Sequence, residues 1–329
     1  MKIVINNLAV ERSSRGVRRY LKMLLPWIAS GIERSDGELE FLQPGLSNPL
    51  DRIRELAYRP SGDPVFWSPC QRGSLRATHQ VITVHDCINI EHTYADDFRG
   101  RALKTIFGEI LLKAQRVVAI SDATRQSLLR HYRLDPDKLL VIRSPSDIAA
   151  APDLEAVAGI NRPFILMVTN PLKHKNSLFA CRAYAISKYA AEQVTLCVVG
   201  GLDPAARTFC VDSGVQFVEL NHVDDSRLSA LYRDCALFLS ASLSEGHNLT
   251  IAEALSIGAP VACSKIPAHE EFFYKYADFF DPNDIASASS CLDSAWRKHG
   301  PEPVRRPVRF GRSAKDVAED YLNLFSTLK

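Results

Sequence analysis

Short apolar runs alternate with amphipathic stretches of helical length along the whole chain. KIVI (2–5), HQVITVHD (79–86), RVVAIS (116–121) and KLLVIR (138–143) predict strands in the first half. FILMVT (164–169), VTLCVVGG (194–201), VQFVEL (215–220), ALFLSAS (236–242) and PVACS (260–264) predict strands in the second. Between them, stretches such as DATRQSLLRHY (122–132) and DSRLSALYRDCA (225–236) carry helical periodicity. Continuous apolar strands separated by helices belong to parallel sheets covered on both faces, so the fold class is α/β with two doubly wound domains. The periodicity lapses in SPSDIAAAPDLEAVAGINRP (144–163), which sets domains of 1–157 and 158–310. The closing stretch, 311–329, holds an amphipathic helix from Ser313 that is expected to pack back on the first domain. Doubly wound sheets take ligands at the carboxyl ends of their strands. Two such domains imply a cleft between them, with the chemistry at strand-to-helix junctions.

Composition narrows the class. A chain of 329 residues, 46% hydrophobic and 24% charged, is globular and larger than one core comfortably serves. Forty basic residues face 38 acidic ones, so the net charge of +2 offers no footprint for nucleic acid. The opening MKIVINNLAV is too short an apolar run for a secretory signal, and no run of about eighteen apolar residues spans a membrane. A cytoplasmic setting follows. The eight cysteines include no CxxC and sit mostly inside apolar runs, as buried reduced thiols do. Asp135-Pro136-Asp137 reads as a turn and Asp224–Asp225 as a helix cap. HEEFF from His269 lacks the second histidine of a zinc helix, so no metal is expected. The absence of GxGxxG after any strand argues against a nicotinamide or flavin enzyme, and no cofactor is expected.

Residues 12–28 carry five basic side chains and no acid. On a helical wheel Val17, Leu21, Leu24, Leu25 and Ile28 share one face, and Arg15, Arg18, Arg19 and Lys22 the other. Two readings stand: core packing with a basic outer face, or peripheral contact with an anionic membrane surface.

The richest junction is ALFLSASLSEGHNLTIAEALSIGAPVACS, residues 236–264, which reads strand, turn, helix, turn, strand. Glu245 falls in the turn and Glu253 on the helix, eight positions later. Amides near Leu249 and Thr250 are first-turn donors, and a helix N-terminus accepts a phosphate group. Two carboxylates there would repel a phosphate unless they bind something neutral with hydroxyl donors, such as ribose or hexose. On the other reading, Glu245 caps the helix and Glu253 is solvated.

SEGHNLTIAEALSIGAPV resembles the signature of retaining GT-B glycosyltransferases, family 4, in its mannosyltransferase-like branch. ITVHD, RVVAISDATRQSLLRHYRLDPDKLLVIRSPSD, FILMVTNPLKHKN and VDDSRLSALYRDCALFLSAS resemble further segments of that family, so the likeness covers nearly the whole chain. It implies two Rossmann-like domains with an inter-domain cleft, an acceptor domain first and a nucleotide-sugar domain second. By position, Glu253 would accept from the ribose hydroxyls and Glu245 would hold the donor sugar. The amides of Leu249 and Thr250 would hold the distal phosphate, and the backbone of Val223 would meet the base. Lys175 would place its ammonium on the diphosphate, and His85 would reach the transferred sugar from the other domain.

Three positions depart from the family pattern. Asn170 stands where an arginine is usual, with Lys173 nearby as a substitute cation. His247–Asn248 replaces an aromatic–Gly pair; Asn tolerates the left-handed backbone, and His247 could add a donor toward the sugar. Arg15–Gly16 replaces a Gly-Gly loop, where a side chain would narrow the entry. The resemblance implies a metal-independent transferase that uses the nucleotide-sugar as co-substrate. GDP-mannose is the first donor and a UDP-hexose the second; the acceptor is a saccharide or lipid-linked glycan of surface polysaccharide or lipopolysaccharide synthesis. It works in the cytoplasm or at the inner face of the cytoplasmic membrane. A same-fold epimerase or phosphorylase, or a non-catalytic nucleotide-sugar-binding scaffold, is the alternative.

Overall fold

The computed structural model describes residues 1–11, 13–43, 50–93, 97–146, 160, 162–221 and 223–328. The chain divides into two compact units, Met1–Ser146 with Gly311–Lys329, and Asp147–Phe310. The break expected between 157 and 158 lies outside the described residues.

In the first unit six strands form one parallel sheet: β1 (Lys2–Ile5), β2 (Glu38–Phe41), β3 (Val65–Ser68), β4 (Gln80–Val84), β5 (Arg116–Ala119) and β6 (Leu139–Val141). Their order is β2-β1-β3-β4-β5-β6. The second unit repeats the plan with β7 (Phe164–Val168), β8 (Thr195–Val199), β9 (Phe217–Leu220), β10 (Leu237–Ser240), β11 (Val261–Ser264) and β12 (Asp278–Phe280), in the order β12-β11-β10-β7-β8-β9. Three strands escape the hydrophobic pattern. β2 alternates glutamates with apolar residues at the sheet edge, where Lys2 of β1 pairs with Glu38 at 3.4 Å and Glu40 at 2.6 Å. β3 is a four-residue run hemmed by Pro64 and Pro69, and β12 is three residues long.

The amphipathic stretch near the start forms the helix Arg15–Glu33, capped by Ser14, whose Oγ accepts from the Val17 amide. Val17, Leu21, Leu24 and Ile28 are buried in the core of the first unit and Leu25 packs against it. That apolar face is therefore not available to enter a lipid surface; the basic outer face alone is left for one. Arg15–Gly16 is not a loop, as expected from the sequence, but the first turn of this helix, because the Ser14 cap starts it there. The helix Ala314–Ser326 packs on it within the same unit. Tyr20 donates to the Tyr321 hydroxyl at 3.0 Å, the Tyr321 and Thr83 hydroxyls lie 2.8 Å apart, and the Trp67 indole donates to Thr83 at 3.1 Å. Gly31 allows the close fit, since a Cβ there would lie 2.2 Å from a Leu322 methyl.

All eight cysteines are free thiols, seven of them buried, and burial pushes thiols such as Cys87 and Cys197 up to about 12. Asp135 caps the turn Pro136–Lys138, and Asp224 caps the helix Asp225–Asp234.

Candidate functional site

The strand order of the second sheet reverses between the neighbours β7 and β10, and the carboxyl ends at such a switch point are where doubly wound sheets take ligands. After β7, the Asn170 side chain accepts from the Leu172 amide at 3.1 Å and bends the chain. A single 3₁₀ turn, Lys173–Lys175, follows and ends on Asn176 in the left-handed region at φ 54°. The Leu243 amide donates to the His174 carbonyl at 2.7 Å, tying this turn to the loop after β10. Nearby, Gly200 sits at φ 94°, where a Cβ would lie 2.2 Å from the Thr169 carbonyl oxygen, so the exits of β7 and β8 are pressed together.

This geometry brings two of the expected residues into contact. Lys175 Nζ donates to Glu245 Oε1 at 2.6 Å, and Ser242 Oγ donates to the same oxygen at 2.8 Å. Burial pulls the Glu245 carboxyl upward, but the Lys175 ammonium and the Ser242 hydroxyl more than offset it and leave it below the usual carboxylate range. Lys173 is exposed one turn away.

The helix Leu249–Ile257 begins at Asn248, with φ 75° and ψ 75°, and the Asn248 side chain does not cap its first turn. The N-cap position thus belongs to Asn248 and not to Glu245. Asn248 Nδ2 donates instead to Ser240 Oγ at 3.1 Å and lies 3.0 Å from His269 Nε2, while Oδ1 accepts from the Thr250 hydroxyl at 2.7 Å. Glu253, one turn on, is buried, and its Oε2 accepts from Tyr232 at 3.0 Å, so it is not a solvated helix residue. The His247 ring is buried 4.1 Å from Phe272, centroid to centroid, and burial lowers its pKa to about 3. Val223 is buried in the loop ahead of the Asp224 cap.

His85 and Gly16 belong to the first unit. His85 follows β4 and is buried; its Nε2 donates to the Pro69 carbonyl at 2.8 Å, and its ring meets Tyr20 edge-on at 4.8 Å. Burial lowers its pKa to about 4, so the ring is neutral near pH 7.

Sequence reasoning missed Ser242, Tyr232 and, above all, His269. His269 was visible only as a failed zinc motif, and its contacts reach across 21 residues to Asn248. Among the described residues no three His, Cys, Asp or Glu side chains converge as metal ligands, and no helix is long and apolar enough to cross a membrane.

A family model described as Glycosyltransferase Family 4 matches residues 63–149, and one described as Glycosyl transferases group 1 matches residues 162–292. The chain belongs to glycosyltransferase family 4. This family 4 chain is 25% identical over 273 residues to the O-antigen chain mannosyltransferase B of Escherichia coli, covering 75% of its own length and 70% of that relative. It is 26% identical over 293 residues to the D-inositol 3-phosphate glycosyltransferase 2 of Catenulispora acidiphila, covering 77% of its own length and 66% of that relative. Among solved structures it resembles a sucrose-phosphate synthase from Thermosynechococcus elongatus, with a TM-score of 0.62 at 13% identity, over 99% of this chain and 94% of that one. The two parallel sheets are those of the GT-B fold.

Proposed function

We propose that this family 4 glycosyltransferase moves a hexose, with retention of anomeric configuration and without a metal, from a nucleotide-sugar to a saccharide or lipid-linked acceptor. The observation that carries the reading is the switch point after β7 and β10, where a part-buried Lys175–Glu245 pair stands in the same loop system as a helix N-terminus that the Asn248 side chain does not cap. First-turn amides and an ammonium favour a diphosphate, and an ionised carboxylate accepts from sugar hydroxyls.

In this reading the Leu249 and Thr250 amides hold the distal phosphate. Lys175 places its ammonium on the diphosphate, where charge builds as the glycosidic bond breaks. Glu245 holds the sugar hydroxyls, Glu253 the ribose, and the Val223 backbone meets the base. His85 is assigned to the transferred sugar. Asn170 places no cation beside the diphosphate, so Lys173 supplies the second positive charge. The acceptor attacks on the face the diphosphate leaves, and the departing diphosphate helps to take the acceptor proton. The chain's own work is to position the reactants and stabilise charge.

GDP-mannose is the first donor, supported by the ITVHD and NPLKHKN segments and by the name of the E. coli relative, and a UDP-hexose is the second. The setting is surface polysaccharide synthesis in the cytoplasm. Any contact with the membrane's inner face runs through the basic outer face of the helix Arg15–Glu33.

Thermal melting with GDP, UDP, GDP-mannose and UDP-glucose, beside a Glu253→Ala variant, tests the reading. A ligand at about 100 times its Kd adds roughly 2.7 kcal/mol, a shift of several degrees. One nucleotide series should stabilise the protein and lose its effect in the variant. No shift with either series would move the non-catalytic reading to the front.

A further inference from the structure

The donor reading leaves one central buried group without a role. His269, on the helix Pro267–Phe273, is fully buried, and both of its ring nitrogens are engaged. Nδ1 lies 2.8 Å from the Ser264 carbonyl oxygen and Nε2 lies 3.0 Å from Asn248 Nδ2. A carbonyl oxygen only accepts, so Nδ1 carries the proton; an amide nitrogen only donates, so Nε2 accepts. Only the neutral ring with its proton on Nδ1 makes both bonds, and burial keeps it neutral by lowering its pKa to about 4.

The consequence falls on Asn248. An asparagine at a helix N-cap ordinarily turns its side-chain oxygen onto the amides of the first turn. Here Nδ2 is drawn to His269 and Ser240, and Oδ1 is taken by the Thr250 hydroxyl, so Asn248 gives those amides no side-chain cap. The same network runs on toward the sugar end of the site. Ser264 Oγ donates to the Ser242 carbonyl, and Ser242 Oγ donates to Glu245. His269 thus stands where the framework of the phosphate-binding turn meets that of the carboxylate.

We propose that His269 is a positioning residue for the donor diphosphate: by accepting from Asn248 it holds that side chain off the helix amides and keeps them for a phosphate. The proposal rests on the donor-site reading above and adds the device that shapes its phosphate end.

The test uses the full chain with two conservative variants that each keep one of the two bonds. In H269Q the side-chain oxygen reaches the place of Nε2 and still accepts from Asn248. In H269N the side-chain nitrogen takes the place of Nδ1 and still donates to Ser264, but nothing accepts from Asn248. Calorimetric titration compares GDP with guanosine and UDP with uridine, so that the phosphate contribution is read apart from the nucleoside. H269N should weaken the diphosphate by about tenfold and leave the nucleoside unchanged, while H269Q should stay within about threefold of wild type for both. Equal losses for nucleoside and diphosphate in H269N would mark a merely structural role and overturn the proposal, as would an unchanged diphosphate affinity. Wild-type protein that binds neither series overturns the donor reading, and the proposal with it. Nitrogen-15 spectra of the wild-type imidazole keep the idea testable if H269N does not fold. Protonation at Nδ1 near pH 7 is expected, and a ring protonated at Nε2 overturns the proposal whatever the ligand results.

Discussion

Removing the Lys175 ammonium should destabilise the second unit and reverse the pH dependence contributed by Glu245. At 2.6 Å and an effective dielectric of about 20, the attraction between the two charges is about 6 kcal/mol before desolvation. Both side chains are largely withdrawn from water, 19% and 11% exposed, so desolvation offsets a good part of that. A coupling of about 2–3 kcal/mol should remain, and K175M, which leaves a part-buried carboxylate with the Ser242 hydroxyl but without its ammonium, should cost about 3 kcal/mol near pH 7. The double variant K175M/E245Q should cost less than K175M alone, since no buried charge is stranded. In the wild type Glu245 lies below its unfolded value, so its contribution is present above the unfolded pKa and is lost as pH falls through the folded one. Without Lys175, burial dominates and raises the carboxyl above its unfolded value, so K175M should recover stability toward about pH 5. The chain has three tryptophans, and only Trp296 lies in the second unit. Urea unfolding of 5-fluorotryptophan-labelled protein, followed at the Trp296 resonance, therefore reports the relevant unit. A K175M protein within about 0.5 kcal/mol of wild type at both pH values, or a double variant equal to the sum of the singles, would refute the reasoning.

Two further outcomes follow from the same unit. Gly200→Ala places a Cβ 2.2 Å from a backbone oxygen at a left-handed φ, so it should lower stability by about 2 kcal/mol or more and drop the melting temperature by several degrees; an unchanged melt would contradict the close approach of β7 and β8. His247 and His269 are buried and neutral with pKa near 3 and 4, so between about pH 6.5 and 4 the unfolded state binds more protons, and stability falls with pH by up to about 2–3 kcal/mol per unit. H269Q should remove about half of that slope, and an identical slope in H269Q would show that His269 does not stay neutral in the fold.

The hydrophobic pattern revealed what repeats locally and little of what meets through space. KIVI, FILMVT and VTLCVVGG became central or flanking strands because a continuous apolar run must be covered on both faces. β2 hid because its glutamates are satisfied by Lys2 across the ladder, a partner that no local pattern reveals. Within the site, the eight-residue spacing of Glu245 and Glu253 was legible because a turn and a helix follow from nearby residues. The Tyr232–Glu253 bond and the His269–Asn248 bond each span 21 residues and two elements, so they were not. The misplaced Arg15–Gly16 loop has a local cause: Ser14 offers a cap, and the helix takes it.

Three asparagines shape the loops after β7 and β10, and two of them, Asn170 and Asn248, stand where the chain departs from its family pattern. Asn170 spends its side chain on the Leu172 amide, Asn176 ends the lysine turn at φ 54°, and Asn248 opens the helix at φ 75°. Each does backbone work that shapes these loops, and none brings a charge. On the proposed function, the positive potential for a diphosphate then comes from first-turn amides and from Lys173 and Lys175. Lys175 is already neutralised by Glu245. A donor that binds must therefore compete with Glu245 for the ammonium, and a donor that wins also frees the carboxylate to accept from sugar hydroxyls. A nucleoside diphosphate without its sugar offers Glu245 no such hydroxyls. The nucleotide-sugar should accordingly bind more tightly than the bare diphosphate, and that advantage should vanish in E245Q.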